Sequence, residues 1–363
     1  MSTHYTPDAV ASDGSSEMCS IIVTYRLKTN VITGKMVFDS AVSDYALHYR
    51  ARVYLDRLGQ YSTPTETSAE ITTQSIIEAL YETAAALKSP RAARYISSEI
   101  CAVGGLVDQL ARLLPHDPQP ESIVSELGRL ATGWAQFFVI LARLYSCMTP
   151  EWASALAPTA QPSVLSKILA RDGNKCFKSG LLYKDSAGLC ATPIIPSSLQ
   201  LVVESLSLEN APSSLGADLL RFLANFCELD VSNVDTLHGP ENRLLLDAVE
   251  GLGFAHLEWT LLPTETPNQY KVATFTDPPA ETPCNDPNVP EQGREKDTYV
   301  TFVDHSTSAP RPSVWARLLG RQAPAVPGTG IPLPSPDFLR VHATTALFMH
   351  HAGFKGTKLY PGL

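Results

Sequence analysis

Arg171-Asp172-Gly173-Asn174-Lys175-Cys176-Phe177-Lys178-Ser179-Gly180 is the stretch on which the reading of this chain turns. It runs straight out of a short amphipathic helix, Val164-Leu165-Ser166-Lys167-Ile168-Leu169-Ala170. Downstream come Cys190-Ala191-Thr192-Pro193-Ile194-Ile195-Pro196 and then Pro240-Glu241-Asn242-Arg243-Leu244-Leu245-Leu246-Asp247. From Leu257 to Phe275 the pattern is that of a hairpin, with Pro263 and Pro267-Asn268 marking the turn and Tyr270 opening the returning strand. Helical and strand patterns therefore mix over about a hundred residues, which predicts an α+β fold.

Towards the N-terminus the periodicity is helical. Ile76, Ile77, Leu80, Ala84 and Leu87 follow a 3.6-residue period. Pro90 opens a second helix through Ile96, Ile100, Val103, Leu106 and Leu110, despite Gly104-Gly105 in its middle, and Ser122 caps a third through Leu127, Trp134, Phe138 and Leu141. A weaker pattern over 40–58 predicts one more helix, stopped by Gly59. Ahead of it, Ser20–Leu27 and Lys35–Phe38 read as a strand pair around a Thr33-Gly34 turn. The division expected is a disordered tail over 1–19, strands and helices over 20–148, a linker over 149–162 and the mixed domain over 163–275. A Pro-rich acidic segment with one strand (Thr298–Val303) over 276–334 and a C-terminal helix and tail over 335–363 complete it. That last helix has Ser335 as cap, Pro336-Asp337 in its first turn and Gly353 at its end.

Composition narrows the function classes. The 363 residues carry 28 Lys+Arg against 37 Asp+Glu, a net charge of -9, and between 163 and 275 the count is 8 against 13. A surface that holds nucleic acid by neutralising phosphates leans the other way. The seven cysteines (19, 101, 147, 176, 190, 227, 284) include no Cys-x-x-Cys pair, so reduced thiols and an intracellular, cytoplasmic or nuclear location are expected. The most apolar run, Trp134–Ala142, is closed by Arg143 and is too short to cross a bilayer; a buried core helix is expected there, and no membrane partner. There is no Gly-x-Ser-x-Gly elbow and no phosphate-binding glycine loop.

The order of the quoted segments resembles the HNH nuclease-like (His-Me finger) domain of a large group of fungal proteins. Those read as an Arg-Asp-Gly-x-x-Cys-x-x-[Thr/Ser]-Gly turn, an Ala-His-Ile-Ile-Pro strand, and an Asn-Gly-Leu-Leu-Leu segment followed by a helical His. The helix from Pro336 through Leu339 to His342 is similar to one these proteins carry near the C-terminus. The resemblance implies a ββα unit in which the strand His activates water, the Asn fixes the loop and the helical His holds a divalent metal.

Laid along this chain, the first His position falls on Pro193 (Thr192 if the register slips by one), the Asn on Asn242 and the helical His on Gly251. Neither proline nor glycine has a donor or base. The implied protein keeps an HNH-like scaffold, has lost metal-dependent phosphodiester hydrolysis, needs no cofactor and acts as a binding or scaffold protein, with a protein partner favoured over nucleic acid. The alternative is an active HNH endonuclease on DNA, with Asp247, Glu250 or His238 recruited to hold Mg²⁺ or Zn²⁺. Asp247, four before Gly251, is placed on the same helical face, while His256 faces elsewhere; the plainer role for Asp247 is an acid at a helix N-terminus. Cys176 and Cys190 are read as a packed pair ahead of a zinc site, and His342, His350 and His351 as partly buried or surface histidines.

Overall fold

The computed structural model describes residues 28–61, 71–113, 121–146, 162–183, 188–200, 202, 215–230, 236–275, 298–307 and 330–354. Helices dominate: α1 (28–38), α2 (Asp44–Tyr61), α3 (Thr73–Ala86), α4 (Pro90–Leu113), α5 (Glu121–Ser146), α6 (Pro162–Arg171), α7 (Leu215–Asn225), α8 (Ala248–Ala255) and α9 (Pro336–His351). Two small antiparallel sheets sit among them. β1 (Leu189–Pro193) pairs with β2 (Arg243–Asp247), and β3 (Trp259–Pro263), β4 (Gln269–Thr274) and β5 (Tyr299–Thr301) form the order β3-β4-β5. The mixed class expected from the sequence is what the chain adopts.

One expectation is overturned at the start. Lys35–Phe38, read as a strand, lies in α1, and the proposed partner Ser20–Leu27 falls outside the described residues. Thr29, Thr33 and Val37 recur every four residues and are the buried side chains of α1. Burying that stripe outweighs the strand preference of Val31, Ile32 and Val37 and the helix cost of Gly34, about 1 kcal/mol. Gly59 likewise fails to stop α2, which continues to Tyr61.

Helices α2, α3, α4 and α5 form a layer with α4 at its centre. Gly104 is needed there: a Cβ on it would lie 2.5 Å from the Tyr54 ring of α2, so the glycine sets how closely the two helices approach. Arg94 of α4 fastens the α1–α2 connection by donating to the carbonyls of Met36 (2.8 Å), Val37 (2.9 Å) and Val42 (2.8 Å). α3 begins at a capping box, with Thr72 and Ser75 each accepting from the other's backbone N–H.

α9 is the pillar of the molecule. It starts and stops where helix-end chemistry predicts: Ser335 caps it, Pro336 stands in its first turn, and Gly353 follows at φ 75°. Eleven of its 16 residues are buried, three of them polar (His342, Thr344 and Thr345), so it is enclosed on nearly every side rather than packed by one stripe. One side packs on β3 and the other on α3 and α5, where Phe348 stacks on Phe138 with centroids 3.8 Å apart. The main hydrophobic core runs from Val37 to Ala352 through both the helical layer and the sheets, and Leu87, Ala343 and Leu347 form a small second cluster. Among the described residues no helix is long and apolar enough to cross a membrane; Trp134 and Phe138 of α5 are buried in that core.

Candidate functional site

Strand β2 passes directly into α8, and β1 lies antiparallel beside it in the register Leu189↔Asp247, Thr192↔Leu244 and Pro193↔Arg243. Leu244, Leu245 and Leu246 are fully buried, which fixes the strand against α6 on one side and α8 on the other. Pro193 occupies the last rung, a position that tolerates its missing N–H. Ile194 carries the ladder on by donating to the Asn242 carbonyl at 3.0 Å.

Asn242 is wholly buried, and its side chain is spent on backbone. Its Oδ1 accepts from Ile195 N at 2.8 Å, while Nδ2 donates to the carbonyls of Ile195 and Leu237, each at 2.8 Å. The amide thus ties the segment after β1 to the loop before β2. Replacing it, Asn242→Ala, strands one donor and two acceptors in the interior, a loss of about 2–3 kcal/mol. Urea unfolding monitored by circular dichroism reads this directly; a loss below about 1 kcal/mol would show that the loop holds without the clamp.

Asp247 is not on the face of α8. It is the N-cap, one residue ahead of the helix, and its Oδ1 accepts from the N–H groups of Val249 and Glu250 at 3.0 Å each. The same-face placement predicted from spacing is therefore corrected, because the helix begins at Ala248. Burial pushes the Asp247 carboxyl up, but hydrogen bonds from the Glu250 amide, Ser179, Cys176 and the Val249 amide outweigh it and hold it below the usual carboxylate range. Gly251 is buried in the body of α8.

The remaining candidates are dispersed or engaged. Glu250 pairs with Lys178 of the turn, whose ammonium also lies 4.7 Å from the Trp259 ring centroid. His238 is exposed on the short turn 236–238. His256 ends α8 and stands 3.9 Å from Glu258 at the surface. Cys176 and Cys190 are buried thiols; Cys190 donates to the Leu246 carbonyl at 3.3 Å, and burial pushes it up to about 11. Among the described residues no three His, Cys, Asp or Glu side chains gather closely enough to hold a metal ion. Of the carboxylates that could serve a divalent cation, the helix cap takes up Asp247 and Lys178 takes up Glu250.

Two residues outrank the predicted ones. Arg171 is fully buried at the end of α6, forked onto Asp172 (Nε–Oδ1 2.6 Å, Nη2–Oδ2 2.8 Å) and donating to the carbonyls of Pro240 (2.7 Å), Arg243 (2.8 Å) and Pro332 (3.1 Å). The adjacent Arg171-Asp172 of the opening motif was its signal. His342, expected at most partly buried, is fully buried: its ring stacks on Phe254 at 3.6 Å and 2°, with Nε2 3.0 Å from the Phe254 carbonyl and Nδ1 2.9 Å from Thr260 Oγ1. His350 is exposed, and His351 is partly buried, 3.2 Å from Glu82.

Opposite Pro193, burial pushes the Arg243 guanidinium below its usual value, and its Nη1 is buried without a hydrogen-bond partner among the described residues. The position is polar but holds neither a base near neutral pH nor a metal ligand. Comparison with known proteins gives no matching family model, and no curated protein or solved structure that matches.

Proposed function

We propose that residues 163–275 form a degenerate HNH-like unit, a ββα arrangement of β1, β2 and α8 kept as a binding or scaffold element after loss of phosphodiester hydrolysis. The observation that carries this reading is the pair Pro193 and Gly251 at the two positions where the motif needs imidazoles. Support comes from the antiparallel β1–β2 pair leading into α8, and from Asn242 in the loop-fixing role the motif gives it. The engagement of Asp247 by the cap and of Glu250 by Lys178 supports it further, since neither carboxylate is left to replace a lost ligand. The excess of acidic residues favours a protein partner over a polyanion.

The decisive assay incubates the full chain with supercoiled plasmid and Mg²⁺, Mn²⁺ or Zn²⁺. No nicking above a protein-free control is expected with any of the three. Metal-dependent nicking that EDTA abolishes and that Glu250→Gln or His238→Ala lowers at least tenfold would sink the proposal and establish an active endonuclease with substituted ligands.

A further inference from the structure

Away from the strand pair, helices α1, α4, α5 and α7 enclose a cleft of about 60 Å³. At roughly 10–15 Å³ per water-sized site, it has room for four to six such sites, the size of a small organic group. Glu99 of α4 lines it and is itself 4% exposed. Tyr95, Trp134 and Phe137, all buried, contribute ring surface.

The charges at this cleft are unevenly matched. Arg221 and Asp218 of α7 pair with each other at 3.0 Å, and Arg129 of α5 pairs with Glu126 at 2.7 Å. Asn30 of α1 adds an amide 3.5 Å from Asp218. Glu99, the most buried of the carboxylates, has no ion pair of its own among the described residues. Thr33, also buried, stands near it, but the hydroxyl makes no well-formed hydrogen bond. A carboxylate held among aromatic rings, with the cation that opposes it, Arg221, already paired to Asp218, is costly to keep unless it is protonated or meets a positive ligand.

We propose that this cleft binds a small organic cation, an alkylammonium group, with its charge on Glu99 and its carbon against Tyr95, Trp134 and Phe137. The rings favour a cation over a neutral solute, because their faces carry negative charge density. A free carboxylate ligand is disfavoured, since it would meet Glu99 while both arginines are already paired. The site does not depend on the HNH-like reading: Asp218 and Arg221 of α7 fall within 163–275, but no residue of β1, β2 or α8 lines the cleft.

Proton competition gives the site a signature. Burial pushes the Glu99 carboxyl up to about 7, opposed chiefly by the positive charge of Arg221. The other groups facing it are Tyr95 on its own helix, Asp218 on α7 and Thr33 on α1. An alkylammonium keeps its charge throughout this range, as a lysine does. Cation binding must displace the proton, so affinity should rise about tenfold from pH 5 to 6, less steeply from 6 to 7, and about fiftyfold in all.

The full chain is titrated with methylammonium and ethylammonium chloride, with sodium chloride and sodium acetate at matched ionic strength as controls, by calorimetry and thermal denaturation. Saturable ammonium binding, tighter at pH 7 than at pH 5 and reduced at least tenfold in Glu99→Gln, is the expected result. Glu99→Gln mimics the protonated side chain in size; if it fails to fold, the pH profile of the native chain decides alone. Stabilisation by acetate but not by ammonium would replace the proposal with an anion site. Equal ammonium binding at pH 5 and pH 7, equal binding by Glu99→Gln, or no saturable binding would each overturn it.

Discussion

Replacing Arg171 by methionine should cost the fold about 3–5 kcal/mol, the loss typical of removing one partner from a buried ion pair. Methionine approximates the length of the arginine stem, so what disappears is the guanidinium and its five hydrogen bonds. Asp172, whose side chain is 12% exposed, would keep its charge and lose its counter-ion. The carbonyls of Pro240, Arg243 and Pro332 would lose donors at once. Those carbonyls lie just before β2 (Pro240), at its start (Arg243) and just ahead of α9 (Pro332), so the arginine ties the end of α6 to two segments distant from it in sequence. Arg171→Lys should recover less than half the loss, because an ammonium has three donors and no planar fork. Urea denaturation of the three proteins at pH 7 measures this. If Arg171→Met falls within 1 kcal/mol of the native chain, the arginine is not the fastening described.

The same side chain shows which parts of the molecule were legible in the sequence. Elements with strong local signals were readable: the 3.6 period of α3, α4 and α5, the Pro263 to Asn268 turn, and the Ser335-Pro336 start of α9. Local pattern failed where distant packing decided. The stripe Thr29, Thr33, Val37 has strand-like chemistry and becomes helical because α1 buries it. α9 read as a terminal helix, although the sheets and the helical layer close on it from both sides. At the candidate site the local pattern located Asn242 and read Asp247 as an acid at a helix N-terminus, where it lies, but not that the amide of Asn242 is spent on Ile195 and Leu237 or that Asp247 stands just outside the helix as its cap. His342 was misjudged for a related reason. A histidine is expected to be wet unless both ring nitrogens find partners, and Thr260 and Phe254 are brought to it only by the fold.

Those two partners fix the tautomer of His342 and lead to the other large effect. A carbonyl only accepts, so Nε2 carries the proton and donates to Phe254, leaving Nδ1 to accept from the Thr260 hydroxyl. A second ring proton has nowhere to go. Burial pushes the group from 6.5 down to about 3, the hydrogen bond to Phe254 opposing only in part. Between those values the unfolded chain holds a proton that the folded chain does not, so this histidine's contribution is complete above pH 6.5 and is lost as pH falls, by about 1.4 kcal/mol per unit. Glu99 works against it: with its carboxyl raised from 4.5 to about 7, the folded chain holds the extra proton, and stability from that group grows as pH falls through that interval. From pH 6.5 to 4.5 the two nearly cancel, and below 4.5 the histidine acts with Glu99 already fully protonated in both states. His351, also held below 6.5 by burial, adds to the loss on the acid side, so the native chain's stability should fall most steeply below about pH 4.5, where Glu99 no longer opposes the histidines. His342→Phe keeps a ring on Phe254 but leaves Thr260 without its acceptor, costing about 1–3 kcal/mol at pH 7. Its deficit relative to the native chain should shrink by about 1.4 kcal/mol for each unit below 6.5, so that the variant becomes the more stable protein at a pH between about 5.8 and 4.4. Urea melts of both proteins at half-unit intervals from pH 7 to 4 measure the gap; a gap that stays constant would mean that His342 takes up a proton in the folded state as readily as in the unfolded one.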